Sequence, residues 1–131
     1  MIKPEYKYSD ITEAIIGCAM KVHRTLGKGF PEYIYQRALE IELNKISLHH
    51  QREVEYPVYY EEKLIGKRRV DFVIDNKVLI ELKAVSNFEA SHLNQIINYL
   101  TAFNLPIGLL INFGKDSLEF KRFTNNNYIS K

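Results

Sequence analysis

The chain has 131 residues, a length that suits one domain with its own hydrophobic core and needs neither disulfides nor a structural metal. Hydrophobic residues make up 46% and charged residues 26% of it, and no apolar run approaches the roughly 20 residues that span a bilayer. Composition therefore argues against a membrane-spanning protein, whereas the net charge of +2 is too small to predict nucleic-acid binding by itself.

The N-terminal segment and the cysteine content indicate a compartment. Residues 1–5 lack the basic segment followed by an apolar one that marks a secretory signal. The chain has one cysteine, Cys18, which has no partner for an internal disulfide, as is usual in a reducing environment. We therefore expect a cytoplasmic protein with no membrane partner, folded as a single domain over residues 1–131.

Two amphipathic helices are predicted in the first third of the chain. The first follows Asp10, which with Glu13 resembles a capping box, and its apolar residues recur at helical spacing as far as Gly27. Pro31 suits the first position of a second helix, because proline lacks the backbone N–H that this position leaves unpaired. We expect the two helices to be joined by the short link between Gly27 and Pro31.

A β region follows the helices. Residues 53–60 alternate between apolar and polar, which predicts a half-buried strand, and Pro57 removes one backbone donor, so we expect an edge or a bulge there. Residues 64–66 lie in or near the next turn. Two apolar runs, 70–74 and 78–85, flank Asp75-Asn76-Lys77 and predict a hairpin whose second strand is central in the sheet.

The C-terminal third predicts one helix and two strands. Residues 87–103 show helical spacing, with Leu93, Ile96, Ile97 and Leu100 expected to face the sheet. Residues 107–113 form an apolar run typical of a strand covered on both faces, and residues 118–123 add a final strand before an asparagine tail that we expect to fray. The order α-α-β-β-β-α-β-β predicts an α/β domain whose central mixed sheet is flanked by helices.

The hairpin brings three charged residues together. Glu81 and Lys83 are two residues apart, so on a strand they point to the same face. A three-residue turn pairs Ile74 with Val78, and the same register sets Asp71 opposite Glu81, with Cβ atoms ~5 Å apart and Lys83 a diagonal neighbour at ~7–8 Å. A two-residue turn would shift the register by one and place Asp71 on the other face.

Two carboxylates held this close repel each other and raise one pKa unless a cation lies between them. Oxygen ligands of this kind suit Mg²⁺ or Mn²⁺, which take one or two carboxylates, water and a substrate phosphate. A lysine beside the metal can orient the attacking water or stabilise charge on the phosphate. The alternative is a cross-strand ion pair between Glu81 and Lys83, although ionised side chains are uncommon on buried strands unless they are paired or functional.

These residues resemble a known pattern. Asp71 followed by Glu81-Leu82-Lys83 resembles the Asp…Glu-x-Lys core of the PD-(D/E)XK nuclease superfamily, although Val70 stands where the superfamily name has proline. Residues 29–35 read G-x-x-E-x-x-Y, the motif of the GxxExxY family, and residues 95–99 read Q-x-x-x-Y, similar to RecB-like nucleases. The resemblance covers about residues 11–122 and implies a restriction-endonuclease-like fold with a metal-dependent nuclease activity.

The resemblance also implies roles for single residues. Asp71 and Glu81 are expected to bind Mg²⁺ or Mn²⁺ with the carbonyl of Leu82, and Glu32 is expected to complete the metal shell. The alternative role of Glu32 is a favourable charge in the first turn of its helix. The expected catalytic residues are Asp71, Glu81, Lys83 and Gln95.

Substrate contacts are expected from three further residues. Tyr99 lies four residues after Gln95 on the same helix face, so the pair would present a phenol and an amide to a water or phosphate, or instead tether the helix to the sheet. Arg69 and Lys28 belong to basic clusters that would contact phosphates. Ordinary solvated surface charge is an equally open alternative for each cluster.

Three functions remain open at this point. The first is a metal-dependent deoxyribonuclease, and the second is a catalytically weak or inactive nucleic-acid-binding module on a nuclease fold. The third is a structural or interaction domain, such as a homodimer. The Asp, Glu, Lys and Gln of the pattern are all present, which favours the enzyme. Its expected partner is nucleic acid, with DNA favoured over RNA.

Overall fold

A computed structural model describes residues 7–130 and contains, within that range, three helices and five strands in the order predicted from the sequence. The elements are α1 Ser9–Leu26, α2 Glu32–Lys45, β1 His50–Tyr60, β2 Lys63–Ile74, β3 Val78–Lys83, α3 Ala90–Phe103, β4 Ile107–Asn112 and β5 Glu119–Thr124. The expected α/β class and element order are confirmed.

The strands form one sheet in the order β1-β2-β3-β4-β5. Neighbouring strands are antiparallel except β3 and β4, which are parallel because α3 crosses over between them. The sheet is therefore mixed and β3 is central, as expected. β1 is an edge strand with a register shift between Val58 and Tyr59, which explains how it accommodates Pro57.

Helices cover both faces of the sheet. We call the side covered by α1 and α2 the two-helix layer and the side covered by α3 the one-helix layer. Strand β4 supplies Leu109 to the core of the first and Leu110 to the core of the second, so it is covered on both faces as predicted. No helix within residues 7–130 has the length and apolar character needed to cross a membrane.

The start of α1 differs from the expected capping box. Tyr8 occupies the N-cap position in a left-handed conformation with φ of 59°, so Asp10 lies in the first turn rather than at the cap. The hydroxyl of Thr12 donates to the carbonyls of Tyr8 and Ser9 at 3.2 and 3.1 Å. The predicted end at Gly27 is confirmed, because this residue has φ of 69° and donates its N–H to the helix.

The inward face of α3 differs from prediction in one residue. Ile96 and Leu100 are buried as expected, but Ile97 is 46% exposed and Tyr99 is buried in its place. The helix begins only at Ala90, and its buried stripe runs through positions 96, 99 and 100. Hydrophobicity alone placed Ile97 on the buried stripe in place of Tyr99, because both isoleucine and tyrosine can lie at the border of a core.

Asn125 corrects the expectation of a frayed tail. Its side-chain amide is buried and donates to the carbonyls of Leu100 and Leu105 at 2.9 and 3.1 Å. Its backbone N–H donates to the carbonyl of Pro106 at 2.8 Å. The residue thus satisfies the backbone carbonyls left open where α3 turns into β4.

The segment after β3 is held by Asn112 and Gly114. The Asn112 amide oxygen accepts from the N–H of Val85 and of Gly114 at 3.0 and 2.9 Å, and its nitrogen donates to the carbonyl of Val85 at 2.9 Å. Strand β3 was expected to reach Val85 but ends at Lys83. The reason is that the Asn112 side chain forms hydrogen bonds with both the N–H and the carbonyl of Val85. A Cβ added at Gly114 would lie 2.4 Å from Val85 backbone atoms, so only glycine fits.

Candidate active site

The turn between β2 and β3 has the predicted length. Asp75 and Asn76 both adopt left-handed conformations, which their short polar side chains tolerate, and Ile74 pairs with Val78. The ladder continues through position 73 with 79 and position 72 with 80. The expected register is confirmed, and the next two residues beyond its last pair are Asp71 and Glu81.

Side chains replace the backbone ladder at that point. Glu81 Oε1 accepts a hydrogen bond from the backbone N–H of Asp71 at 3.2 Å. Asp71 Oδ2 in turn accepts from the backbone N–H of Leu82 at 2.8 Å. The two carboxylates therefore lie where the regular β2–β3 pairing ends, each bound to the other's strand.

Strand β2 does not alternate regularly here. Phe72 and Ile74 belong to the core of the two-helix layer, whereas Val70 and Val73 belong to that of the one-helix layer. Strict alternation would place Val70 on the same side as Phe72. The alternation of side chains along β2 is thus broken around Asp71, and the hairpin register alone does not predict this irregularity.

The two carboxylates consequently face different helices. Asp71 Oδ1 accepts a hydrogen bond from Gln36 Nε2 of α2 at 2.9 Å. Glu81 lies near Tyr99 of α3, whose pKa is raised by burial and then by the negative charge of Glu81. The pair meets where the two layers join beside the end of the β2–β3 ladder, rather than on one face of a regular sheet as the sequence suggested.

The electrostatics of the pair are unbalanced. Glu81 is 8% exposed, and burial raises its pKa to about 8, with the charge of Asp71 as the next cause. Burial also raises the pKa of Asp71, although hydrogen bonds from Leu82 and Gln36 lower it. The positive charge of Lys83 lowers the pKa of both carboxyls but does not offset the burial. A further cation would stabilise the ionised pair.

Lys83 lies beside the carboxylates without forming a salt bridge to them. Within residues 7–130 no contact of up to 4.0 Å joins its ammonium to Asp71 or Glu81. The side chain is half-buried. The structure therefore gives no support to a closed Glu81–Lys83 ion pair, the alternative considered for this strand.

A small acidic cleft opens beside Asp71. It has a volume of about 190 Å³, and its walls include Glu32, Gln36, Glu53 and Arg69. Glu32 stands in the first turn of α2, and its charge contributes to the raised pKa of Glu81. Glu32 and Arg69 are thus brought to the site as expected, and the helix-dipole role of Glu32 fits its position equally.

Sequence reasoning missed two residues of this cleft. Gln36 is buried and orients Asp71; its position four residues after Glu32, on the same helix face, was an available signal. Glu53 raises the pKa of Asp71 and has φ of 56° within a strand. A left-handed residue of this type is strained and such strain concentrates at functional sites, but the sequence offers no sign of it.

The donor set suits a hard divalent cation. In the part of the chain that the structure describes, no three or more Asp, Glu, His or Cys side chains gather in a way that would hold a metal. Asp71 and Glu81 alone nevertheless supply the one or two carboxylates that Mg²⁺ takes together with waters and a phosphate. Their shared burial and repulsion are what a bound cation would relieve, so the residues fit the expected ion.

Tyr35 has a structural role next to the cleft. Its hydroxyl donates to the carbonyl of Gly27 at 2.6 Å and accepts from the N–H of Phe30 at 3.2 Å. Its ring stacks on Phe113 with centroids 4.5 Å apart. The last residue of the G-x-x-E-x-x-Y string thus holds the link that delivers Glu32 to the cleft.

The Q-x-x-x-Y residues border the site on the other side. Burial and then the charge of Glu81 raise the pKa of Tyr99, while the charge of Arg68 and hydrogen bonding with Gln95 lower it. Gln95 is half-buried. The helix therefore brings Tyr99 within electrostatic range of Glu81, and a contact of Gln95 with water or phosphate at the site stays a prediction.

Lys28 lies in a different place. Its ammonium pairs with Asp116 Oδ1 at 2.7 Å and lowers the pKa of that carboxyl. Both residues line a cleft of about 550 Å³ that also includes His23. The structure therefore brings Arg69 to the acidic cleft but not Lys28, and a role for Lys28 in binding substrate at this site gains no support.

Similarity to known proteins supports the fold and the superfamily. A model of the PD-(D/E)XK nuclease superfamily matches residues 9–123. A solved structure described as "Crystal structure of SSO0001" is similar, with a TM-score of 0.57 and 21% identity over 90% of this chain and 60% of that one. The chain thus spans about 60% of that protein, and at this identity the likeness shows the fold alone. No curated protein matches the chain.

Proposed function

The chain belongs to the PD-(D/E)XK nuclease superfamily, and on this premise we propose that it hydrolyses phosphodiester bonds of nucleic acid, DNA in the first place, with Mg²⁺ or Mn²⁺. The observation that carries the proposal is the carboxylate pair formed by half-buried Asp71 and buried Glu81, with Lys83 beside it and free of a salt bridge to either. Membership of the GxxExxY family and a RecB-like role for the Q-x-x-x-Y residues form part of the same proposal.

Asp71 and Glu81 would hold the metal, with the carbonyl of Leu82 as a third ligand. The bound cation would supply a water of lowered pKa and offset charge on the scissile phosphate. Both oxygens of Asp71 accept hydrogen bonds, from Gln36 and from the N–H of Leu82, which fixes the orientation of this carboxylate. Such a fixed ligand loses little entropy on binding.

Lys83 is the proposed electrostatic catalyst. Its ammonium is near enough to lower the pKa of both carboxyls, yet it forms no salt bridge with them. It can therefore donate to the attacking water or to the phosphate as negative charge develops there. Gln95 would position the same water or a phosphate oxygen from α3, and Tyr99 would support Gln95 through their hydrogen bond.

Arg69 and Glu32 act at the acidic cleft in this proposal. Arg69 is exposed and lines the cleft beside Asp71, so its guanidinium can contact a phosphate next to the scissile one. Glu32 would extend the ligand set through water, because it lines the cleft but remains exposed. Neither residue needs to move into the sheet to do so.

The test is a cleavage assay on single-stranded, duplex and branched DNA and on RNA, with Mg²⁺ or Mn²⁺. We expect Lys83→Ala to slow cleavage ~10²-fold or more, because it removes one positioned donor to the transition state. Lys77→Ala is the matched control, since Lys77 is half-buried in the turn of the same hairpin. A wild-type protein that binds these substrates but cleaves none would instead be a binding module on a nuclease fold.

A further inference from the structure

The first two strands form an arm that extends past the rest of the sheet. β1 and β2 have 11 and 12 residues, whereas β3 has 6. The pairing of β2 with β3 involves only residues 72–74, so the β1–β2 hairpin from 54 to 70 continues without a third strand. We call residues 54–70 the hairpin arm.

A groove lies between the hairpin arm and α3. Its volume is about 330 Å³, and it is lined by residues 58 and 65–68 of the arm and by Asn98, Tyr99, Ala102 and Phe103 of α3. Small-molecule sites begin at roughly 300 Å³, so the groove has room for one nucleotide but not for a segment of duplex. Ile65 on its arm side is largely exposed.

Two residues that line the groove, Tyr99 and Phe103, are aromatic, and Tyr56 packs behind them without lining it. Tyr56 of the arm stacks on Phe103 with ring centroids 4.5 Å apart and an angle of 9°. Tyr99 lies against the same Phe103 at 5.2 Å and 34°. Phe103 is half-buried and lines the groove, and an aromatic side chain in such a position is what an unpaired base stacks on, irrespective of its sequence.

Arg68 gives the groove a positive rim. It lies opposite Tyr56 in the β1–β2 register and is exposed. Within the described part of the chain its guanidinium donates to the carbonyl of Lys67 but forms no salt bridge. Lys67, by contrast, is paired with Glu55 at 3.5 Å. Arg68 also hydrogen-bonds to the side chain of Tyr99, and because no carboxylate forms a salt bridge with its guanidinium, its charge can contact a phosphate.

The groove leads to the candidate active site through Tyr99. This residue lines the groove and is also close enough to Glu81 to be affected by its charge. A base on the aromatic wall would thus have its own phosphate near Arg68 and the adjoining phosphate near Asp71 and Glu81. The placement of Tyr99 between the groove and Glu81 suits one strand that runs from the groove to the carboxylate pair.

From this arrangement we propose that the groove binds an unpaired nucleotide of the substrate, so that the enzyme acts on single-stranded or unpaired nucleic acid rather than on continuous duplex. The inference rests on the proposed function, because it names the substrate class of the same site. Bases inside a duplex are stacked on their neighbours and reach such a wall only if they are flipped out at a cost.

Two groove variants, Ala102→Glu and Gly66→Phe, test the proposal, and Thr101→Glu is the control. Ala102→Glu places a negative charge in the groove, and Thr101→Glu places the same charge on the neighbouring exposed residue outside it. Gly66→Phe fills the groove, and a Cβ at Gly66 meets no atom within 4 Å, so the fold tolerates it. We expect Ala102→Glu and Gly66→Phe to weaken binding on the order of tenfold and Thr101→Glu to leave it unchanged.

Binding is measured by fluorescence anisotropy with a labelled single-stranded oligonucleotide and a closed hairpin duplex, with EDTA and again with Ca²⁺. Preferential single-strand binding that both groove variants reduce supports the proposal. Equal affinity for the two probes, or groove variants that bind like wild type, would overturn it.

Sedimentation velocity of the same proteins identifies another occupant. Groove variants that alter the sedimentation coefficient and leave strand binding unchanged would show that a second copy of the chain covers the groove, which also overturns the proposal. The cleavage assay with Lys83→Ala remains independent of these results. Failure of the nuclease proposal is therefore distinguishable from failure of the groove proposal.

Discussion

At the scale of residues, Asp71 and Glu81 each stabilise the backbone of the strand opposite. Their oxygens accept the N–H groups of Leu82 and of Asp71 where the β2–β3 ladder ends. Burial raises the pKa of both carboxyls, and the negative charge of Asp71 raises that of Glu81 further. The site therefore lowers the stability of the metal-free protein at neutral pH, and a bound cation should restore that stability.

Glu81→Gln tests this cost directly. The pKa of Glu81 is raised from 4.5 to about 8, so the folded state keeps a proton that the unfolded state loses in between. Stability of the metal-free wild type should therefore fall as pH rises from about 4.5 to about 8. Metal-free Glu81→Gln should melt higher than wild type at pH 8, on the order of 3 °C or more, and nearly equal to it at pH 5.

Thermal melts in EDTA and in Mg²⁺ provide the measurement. Mg²⁺ should raise the melting temperature of wild type and leave that of the variant unchanged, because the ion binds only the native pair. Glu61→Gln, an exposed change at the tip of the hairpin arm, is the control. A variant that melts below wild type at pH 8 without metal would show that the carboxylate is not under electrostatic stress.

Gln95→Ala tests whether α3 takes part in the chemistry. Removing one positioned donor should slow cleavage by ~10²-fold, about 3 kcal/mol in the barrier, with little change in melting temperature. Tyr99→Phe should have a smaller effect, because the ring keeps its contact with Phe103. The measurement is single-turnover cleavage beside a thermal melt. A Gln95→Ala protein that cuts normally but melts early would be evidence of a tether only.

At the scale of elements, the segment that follows β3 is held by a close contact between the backbones of Val85 and Gly114. Gly114 leaves no room for a Cβ, since such an atom would lie 2.4 Å from the N and O atoms of Val85. Asn112 bonds the same residue from the end of β4. The position of Lys83 at the end of β3 is thus set by the turn of a neighbouring strand.

Gly114→Ala should destabilise the protein by about 1–3 kcal/mol, because backbone atoms on both sides must shift. Cleavage should also fall, since the shift is transmitted to Lys83. Gly17→Ala is the control: its Cβ meets no atom within 4 Å, and alanine in the middle of α1 should stabilise the helix by roughly 0.5–1 kcal/mol. Urea unfolding measures both, and a Gly114→Ala protein of wild-type stability would contradict the contact.

At the scale of the whole molecule, positive charge near the site is sparse. The chain carries a net charge of only +2, and much of its basic content is paired within the protein, as at Lys28 with Asp116. The structure places Arg68, Arg69 and Lys83 beside the groove and the carboxylates, together with Lys67, which is paired with Glu55. Binding should therefore involve few phosphates.

This predicts a shallow salt dependence of nucleic-acid binding. Three phosphate contacts on a single strand give a slope of about −2 for log K against log salt, and Arg68→Ala or Arg69→Ala should each reduce it by about 0.7. Lys121→Ala, exposed on β5 at the opposite sheet edge, should leave the slope unchanged. Anisotropy titrations from 50 to 200 mM salt measure it. A slope steeper than about −5 would mean that another surface carries the binding.

The sequence alone was sufficient wherever a single element or a short hairpin decided the outcome. The order of helices and strands follows from local periodicity, and the three-residue turn sets the β2–β3 register that brings Asp71 and Glu81 close together. The burial of β3 and β4 follows from their continuous apolar runs. These features depend on spacing within about ten residues, which the sequence states explicitly.

Only the tertiary structure decided which elements meet at the site. Gln36 reaches Asp71 because α2 packs over β2, and Glu53 borders the cleft because its strand is irregular there. Lys28 belongs to a basic cluster in sequence yet pairs with Asp116, far along the chain. Contacts of this kind depend on how two layers pack on one sheet, and residues distant in sequence carry no local pattern that records it.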